Sequence, residues 1–405
     1  MQEADPSLLN ARRAAWLLAL ASAIGGSAGP IAIGTGGLVG MALLPMQQMA
    51  LATVPVSAYI VGSALASVPA ALTMRRIGRR LGFMLGTAIG ALGAVVAAVA
   101  IMFASFWGFT LGMVLIGCSG AFLQQYRFAA ADASPPGYKP RAIAWVMAGS
   151  VITGVLGPQL SIHAPALTPS VPLAGPFLAL IGLYAIAAVV LSRLDVPLPP
   201  PIGSGPQGRP LLEILLKPRF LIALVGAVSS YALMSLVMTA TPLAMVAHNH
   251  TQAEAQTGIQ WHVIAMFGPS FFTGALITRF GKSAIAATGL LLIAASASVA
   301  LSGTGLWQFW IALILLGIGW NFGFIASTAM VAELYRPEEA FRVQAMNEFI
   351  LFTIVAIASF SSGGILVASG WTVINIVVYP VVVIAVLLIL GRALIDRRMP
   401  RTATP

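Results

Sequence analysis

Long apolar runs separated by short polar or basic knots set the pattern of this chain. Each run reaches roughly 20 residues, the length an α-helix needs to cross the hydrocarbon core of a bilayer. The pattern predicts about twelve spans. They fall at 14–37, 47–73, 81–103, 106–130, 141–163, 172–192, 218–246, 256–279, 283–302, 306–333, 341–366 and 371–392. A transmembrane β-barrel would instead show roughly ten-residue segments of alternating polarity, so the expected class is an all-α membrane protein.

The pattern changes after the sixth run. Asp195-Val196-Pro197-Leu198-Pro199-Pro200-Pro201 leads into a Gly/Ser/Pro stretch that ends at Arg209-Pro210. Such composition reads as an exposed linker. It divides the chain into a six-helix bundle over 1–192, a cytoplasmic linker over 193–215 and a second six-helix bundle over 216–405. The two parts look like copies. Residues 71–80, Ala-Leu-Thr-Met-Arg-Arg-Ile-Gly-Arg-Arg, find a counterpart in 274–283, Gly-Ala-Leu-Ile-Thr-Arg-Phe-Gly-Lys-Ser. Gly117 to Arg141 and Gly317 to Arg342 match in layout, each a Gly-containing helix, an acid (Asp132, Glu333) and a basic loop. The acids are expected to form gate ion pairs with Arg141 and Arg342. Parallel repeats of this kind pack about an axis along the membrane normal, with the substrate near the midplane between them.

Composition and charge narrow the class. With 59% apolar and 8% charged residues among 405, the chain has too little polar surface for a soluble protein. Its net charge of +10 is concentrated in the N-terminal segment, every second loop and the C-terminal segment. The alternate loops near 38–46, 103–107, 163–172, 246–256, 302–306 and 366–371 hold no Lys or Arg. Basic loops stay in the cytoplasm, so both termini are expected there, in a bacterial inner membrane. No basic domain remains for nucleic acid. Arg12-Arg13 before an apolar run resembles a secretory signal, but the run continues to about residue 37 and reads as an uncleaved first span. The single Cys118 supplies neither a disulfide framework nor a thiol pair. A Walker-type phosphate loop is missing, and nothing points to an enzyme or a resident cofactor.

The two basic knots carry a family resemblance. Arg76, Gly78, Arg79 and Arg80 in the first, and Gly274, Arg279, Gly281 and Lys282 in the second, resemble the loop signature of the major facilitator superfamily. Both copies depart from it at its acid, where Arg75 and Thr278 stand. The resemblance implies twelve helices in two six-helix pseudo-repeats that work by alternating access, with Arg76, Gly78, Arg79, Arg279, Gly281 and Asp132 at the inner gate.

Candidate chemistry concentrates at the seventh and eighth spans. Met234-x-x-x-Met238 and His262-x-x-x-Met266 each place two donors on one helix face. Counting from the loop between the spans, both pairs lie at similar depth. Thioethers and imidazole form a soft set suited to Cu(I). Met245, His248, His250, Met41, Met46 and Met49 stand near the expected outer mouth as metal-entry residues. Methionine is also an ordinary filler of apolar helices, so a packing reading stands beside the chemical one. The pattern resembles that of the CcoA-like copper importers, which implies copper import for cytochrome oxidase assembly and a cytoplasmic metal chaperone as partner.

The same branch includes the RfnT-type riboflavin transporters, and riboflavin or another small organic solute is the alternative cargo. For a flavin, the stacking and hydrogen-bonding candidates are Trp320, Asn321, Gln344, Asn347, Gln124, Gln125, Tyr126, Trp145 and Tyr231. Arg127 and Glu348 are intramembrane charges, and therefore candidates for coupling or gating.

Overall fold

The structure is a computed structural model that describes residues 6–135, 138–196, 208–336 and 339–398. Among the described residues, the elements are sixteen α-helices and three short 3-10 turns. The first span is broken into α1 (Pro6–Gly25) and α2 (Ala28–Leu43). The second and third are α3 (Val54–Ile77) and α4 (Arg79–Met102). The fourth is broken into α5 (Phe106–Leu123) and α6 (Tyr126–Asp132), and the fifth and sixth are α7 (Lys139–His163) and α8 (Gly175–Ser192). A short α9 (Leu211–Leu215) precedes the seventh, α10 (Pro218–Ala247). The eighth, α11 (Gln252–Phe267) and α12 (Ser270–Phe280), bends by 44° at its break. The ninth and tenth are α13 (Lys282–Leu301) and α14 (Leu306–Ala332). The rest of the chain forms α15 (Ala340–Ile376) and α16 (Val378–Arg398).

Length and apolarity alone qualify ten of the described helices as spans, and eleven if the bent pair counts as one. The twelfth is hidden in the continuous stretch Arg342–Ile395 of 54 residues. As one helix it would run about 80 Å, against a hydrocarbon core of roughly 30 Å. It is interrupted at Gly370, whose φ of 77° lies outside helical space, which leaves one span on each side. Large apolar side chains such as Leu65, Val189, Leu387 and Ile395 stay exposed on the outside of the bundle. That surface is suited to lipid rather than water.

The packing repeats along with the sequence. In the first half α4 packs on α5 and on α8, and α1 packs on α7. In the second, α13 packs on α14 and on α16, and α10 packs on α15. The two basic knots superimpose in conformation as well. Gly78 has φ 87° and ψ 161°, and Gly281 has φ 87° and ψ 152°. At positive φ a side chain is strained, so glycine here lets one span turn directly into the next. Each turn places a cation at the start of the following helix. Arg79 pairs with Asp132 and Lys282 pairs with Glu333. This corrects the expected pairing of the two acids with Arg141 and Arg342. Arg79 and Lys282 open the helices that pack against the fourth and tenth spans, where the acids end, so theirs are the charges brought alongside.

Residues 197–207 of the expected linker lie outside the described residues. Its last part is anchored to the second half. Glu339, fully buried, accepts from the Arg209 guanidinium (2.8 and 2.7 Å) and from the backbone N–H groups of Arg209 and Arg336 (both 2.9 Å). The Arg209 side chain first, and the Arg336 amide next, hold this carboxyl well below the usual carboxylate range.

Two outcomes follow from these contacts. Gly281→Ala should cost about 1–2 kcal/mol by forcing a side chain into left-handed space. Gly274→Ala, on an open helical face, should be neutral or slightly stabilising. Thermal unfolding in detergent checks both. Glu339→Gln should lower the melting temperature at neutral pH. Because the folded value is depressed, the carboxylate's contribution is complete above the ordinary value of 4.5 and is lost as pH falls below it. The gap between variant and parent should therefore narrow on acidification.

Candidate functional site

Three of the spans are broken within their length, at Gly26-Ser27, at Gln124-Gln125 and at Gly268-Pro269. Irregular backbone inside a bilayer survives where it is buried in protein or lines a cavity. The eighth-span break shows how. Pro269 has no N–H to offer the preceding turn. Asn321 of α14 compensates, donating to Met266 O (2.6 Å) and Ser270 Oγ (2.7 Å) while accepting from Thr273 Oγ1 (2.6 Å).

The breaks surround a central cavity of about 210 Å³ between the two halves. Its second-half wall is mostly apolar and soft, with the Ser235 and Thr239 hydroxyls set into it. Met234 and Met238 from α10, Met266 and Phe267 from α11 and Phe352 from α15 face it, with Tyr231 beside them. Behind this wall Tyr231 meets Trp320, Phe324 and Phe352 edge-on at 5.3–5.8 Å, and Trp320 stacks on Phe324 at 5.1 Å. The first-half wall is hydroxylic, with Ser22, Tyr59, Ser63, Ser150, Thr153 and the Gln124 amide. No Asp, Glu, Lys, Arg or His lines the cavity among the described residues.

On the face away from the basic loops the halves touch. Ser57 donates to Ser359 (3.2 Å), Thr239 bonds to the same hydroxyl (3.2 Å), and Thr53 donates to Phe360 O (3.3 Å). Gln159 and Gln260 bond at 2.8 Å, and Gln256 reaches Thr35 at 3.4 Å. Leu38, Ala52 and Leu243 fill the space between. Every one of these polar contacts is uncharged. On the basic face the second and eleventh spans, which meet in the seal, part with the fourth around a vestibule of about 270 Å³, with Arg75, Arg79, Gln125, Asp132, Gln344 and Glu348 on its walls.

The residues expected from sequence fall into three groups. Met234, Met238, Met266, Tyr231 and Gln124 reach the central cavity. His262 does not line it. The imidazole is fully buried against α14, with Nδ1 2.8 Å from Leu313 O. Gln125, Gln344, Glu348, Arg79 and Asp132 line the vestibule, and Arg127 attracts Glu348 across the gap between the halves. The remainder lie elsewhere. Asn321 is occupied at the break, Trp320 sits behind the cavity wall, and Tyr126 packs on Phe83 at 4.6 Å. Trp145 packs on Trp16 with ring centroids 4.3 Å apart and planes tilted by 34°, at the exposed face of the bundle. Asn347 is buried outside both chambers, and Arg76 and Arg279 are exposed.

Of the expected metal-entry residues, Met245 is fully buried and Met46 is 80% exposed. His248 and His250 bond to Ala244 O and Thr304 O, both at 2.8 Å. Met41 packs beside Leu38 and Leu243 in the seal, and Met49 lies in the 3-10 turn before α3. These side chains are not gathered into one path.

The sequence reading missed the hydroxyl wall. Its signal was present as Tyr59/Ser63, Ser150/Thr153 and Ser235/Thr239, polar pairs at helical spacing inside apolar runs. Hydroxyls that can satisfy themselves on their own helix draw little notice. Thr153, for example, donates to Ser150 O at 2.6 Å.

Comparison with known proteins places these features. The pattern of the Major Facilitator Superfamily matches residues 14–270 and 223–405. The riboflavin transporter RfnT of Brucella anthropi is 49% identical over 374 residues, covering 92% of this chain and 94% of that protein. An uncharacterised transporter of the same superfamily, YddS of Bacillus subtilis, is 27% identical over 89% of this chain and 86% of its own. Among solved structures, the nucleoside transporter NupG aligns with a TM-score of 0.70 at 13% identity, covering 93% of this chain and 99% of that one. An auto-inhibited POT family peptide transporter aligns at 0.68 and 14%, covering 97% and 99%. These two support the fold alone.

The seal yields a mechanical test. A Cβ at Gly363 would stand 2.5 Å from Thr53 Oγ1 and 2.9 Å from Ala50 O. Gly363→Leu should therefore pry the sealed face open. In a Cys118→Ser, Ser359→Cys parent, the added change should raise labelling by an impermeant maleimide applied to that face several-fold. Unchanged labelling would mean that the contact does not hold the face shut.

Proposed function

The chain belongs to the major facilitator superfamily, and on that premise we propose that it carries riboflavin, or a closely related uncharged flavin, across the bacterial cytoplasmic membrane. Membership makes it a multi-pass secondary transporter rather than an enzyme. The observation that carries the finer reading is the makeup of the central cavity. One wall is aromatic and thioether-rich with two hydroxyls, the other adds further hydroxyls and an amide, and neither bears a charge. An isoalloxazine ring needs apolar faces and neutral hydrogen-bond partners. The thioethers of Met234, Met238 and Met266 suit such a ring because sulfur is polarisable and makes favourable contacts with aromatics. A phosphorylated flavin would bring charge into a site with no cation to pair it, so desolvation disfavours it. The identity to the Brucella anthropi riboflavin transporter supports the same cargo.

The copper reading has three thioethers in its favour. Against it stand the placement of His262 outside the cavity and the relative just named. The metal chaperone and the oxidase-assembly role belong to that reading and have no other support.

The remaining assignments stay with this proposal. Positive loops retained in the cytoplasm put both termini inside, so the sealed face is external and the vestibule internal. The boundary between the halves is placed at 193–215, as the sequence composition suggests. Arg127 and Glu348, opposed across the inner gap, are the coupling pair, since charges at such depth carry a cost that a structural role alone does not explain.

Uptake of radiolabelled riboflavin and of radiolabelled copper, in cells lacking native routes for both, tests the proposal. Riboflavin should accumulate and copper should not. Excess FMN should fail to compete. Tyr231→Ala should cut riboflavin uptake by about tenfold through loss of an aromatic contact. Copper uptake abolished by both Met234→Ala and His262→Ala, without riboflavin uptake, would overturn the flavin reading and restore the metal one.

A further inference from the structure

A side bay of about 110 Å³ lies within the first half, between the first, second, fourth and sixth spans. It shares Gly26, Gly29, Tyr59, Ser63, Leu123 and Gln124 with the central cavity, so the two are contiguous. Beyond those residues its polar lining is Ser119 of α5 and Tyr184 of α8, with Gly25, Ala28, Ile116 and Gly120 completing it.

Glycines hold the bay open. A Cβ at Gly29 would stand 3.2 Å from the Tyr59 hydroxyl, and one at Gly120 would stand 3.0 Å from Ser63 Oγ. Two of the three broken spans border it, the first at Gly26-Ser27 and the fourth beside Gln124. Such interruptions in a transporter mark binding positions, because they bring backbone and side-chain polar groups to the cavity.

The chemistry of the bay is uniform. It offers the hydroxyls of Tyr59, Ser63, Ser119 and Tyr184 and the amide of Gln124, with no acidic or basic side chain. Ser63 already donates to Gly117 O at 2.7 Å and Tyr184 bonds to Ser119, while hydroxyl oxygens keep lone pairs that can accept. A narrow slot of neutral groups that both donate and accept complements a chain of adjacent hydroxyls, each of which also does both. At about 110 Å³ it is too small to take a three-ring system as well as a tail. The ring faces stand on the opposite wall.

We propose that this bay is the subsite for the polyhydroxylated tail of the substrate, the ribityl chain of riboflavin, and that it selects a polyol-bearing ring over the bare ring. The assignment rests on the flavin reading of the central cavity. Ser119 and Tyr184 are then specificity residues, and the contacts of the central cavity supply affinity common to all flavins.

Titration of flavin fluorescence on the purified full-length protein tests this, with riboflavin and with lumiflavin, in which a methyl group replaces the ribityl chain. Wild type should bind riboflavin more tightly. Ser119→Ala and Tyr184→Phe, both at residues that line the bay and not the central cavity, should each weaken riboflavin by about tenfold and leave lumiflavin within about twofold. Retained lumiflavin binding shows that each variant is folded. Gly120→Ala, which narrows the bay without removing a hydroxyl, should reproduce the selective loss. Parallel loss of both ligands, or no loss of either, would overturn the subsite while leaving the flavin reading intact. Failure of wild type to bind either flavin would overturn that reading instead.

Discussion

Inside a bilayer no water is available to satisfy a free backbone N–H or C=O, and each one left bare costs several kcal/mol. The rest of this molecule is arranged around that constraint. It makes every described span a helix. It also makes every interruption costly unless protein or a polar cavity takes over the hydrogen bonds. Here the breaks within spans are not scattered. They ring the interface between the halves, and where one is buried, as at Gly268-Pro269, a dedicated amide from Asn321 repairs it. The cavity is the place where irregular backbone is tolerated, and its hydroxyl lining follows from the same need.

The two faces of the interface use different physics. The contacts that seal the face away from the basic loops are hydroxyl and amide bonds between close-packed helices. Each is worth only about 1 kcal/mol net, because water or a neighbouring hydroxyl can replace it. A seal built from such bonds can be broken without stranding a charge. On the basic face, by contrast, the ion pairs Arg79–Asp132 and Lys282–Glu333 lie within a half rather than between halves. They fix the third and ninth spans to the fourth and tenth, so each half can move as a body. Arg127 and Glu348 are the charges that face each other across the moving boundary.

The methionines illustrate how one sequence signal admits two chemistries. Four-residue spacing put Met234 and Met238 on one face, and Met266 at matching depth on the next helix. The structure brings all three to one cavity wall. Spacing could not say what else would face them. Tyr231, Phe267 and Phe352 make the surroundings aromatic, and His262 lies outside the cavity, with Nδ1 bonded to a carbonyl of α14 and Nε2 buried without a hydrogen-bond partner. A thioether among rings is a contact surface for another ring, whereas a thioether that shared the cavity with an imidazole would be a ligand.

The sequence by itself determined the helical membrane class, the number of spans and their duplication. It did so because lipid demands apolar runs of fixed length, and because repeated glycines such as Gly78 and Gly281 mark turns that only glycine adopts without strain. It also located the methionine wall, since helical spacing is a local property. Tertiary structure alone decided the partners. Asp132 met Arg79 instead of Arg141, Asn321 became a backbone cap instead of a substrate contact, and Trp145 turned to the exposed face. Each of these depends on which helices lie side by side and at what rotation. That is settled by packing between segments far apart in the chain, and no local pattern encodes it.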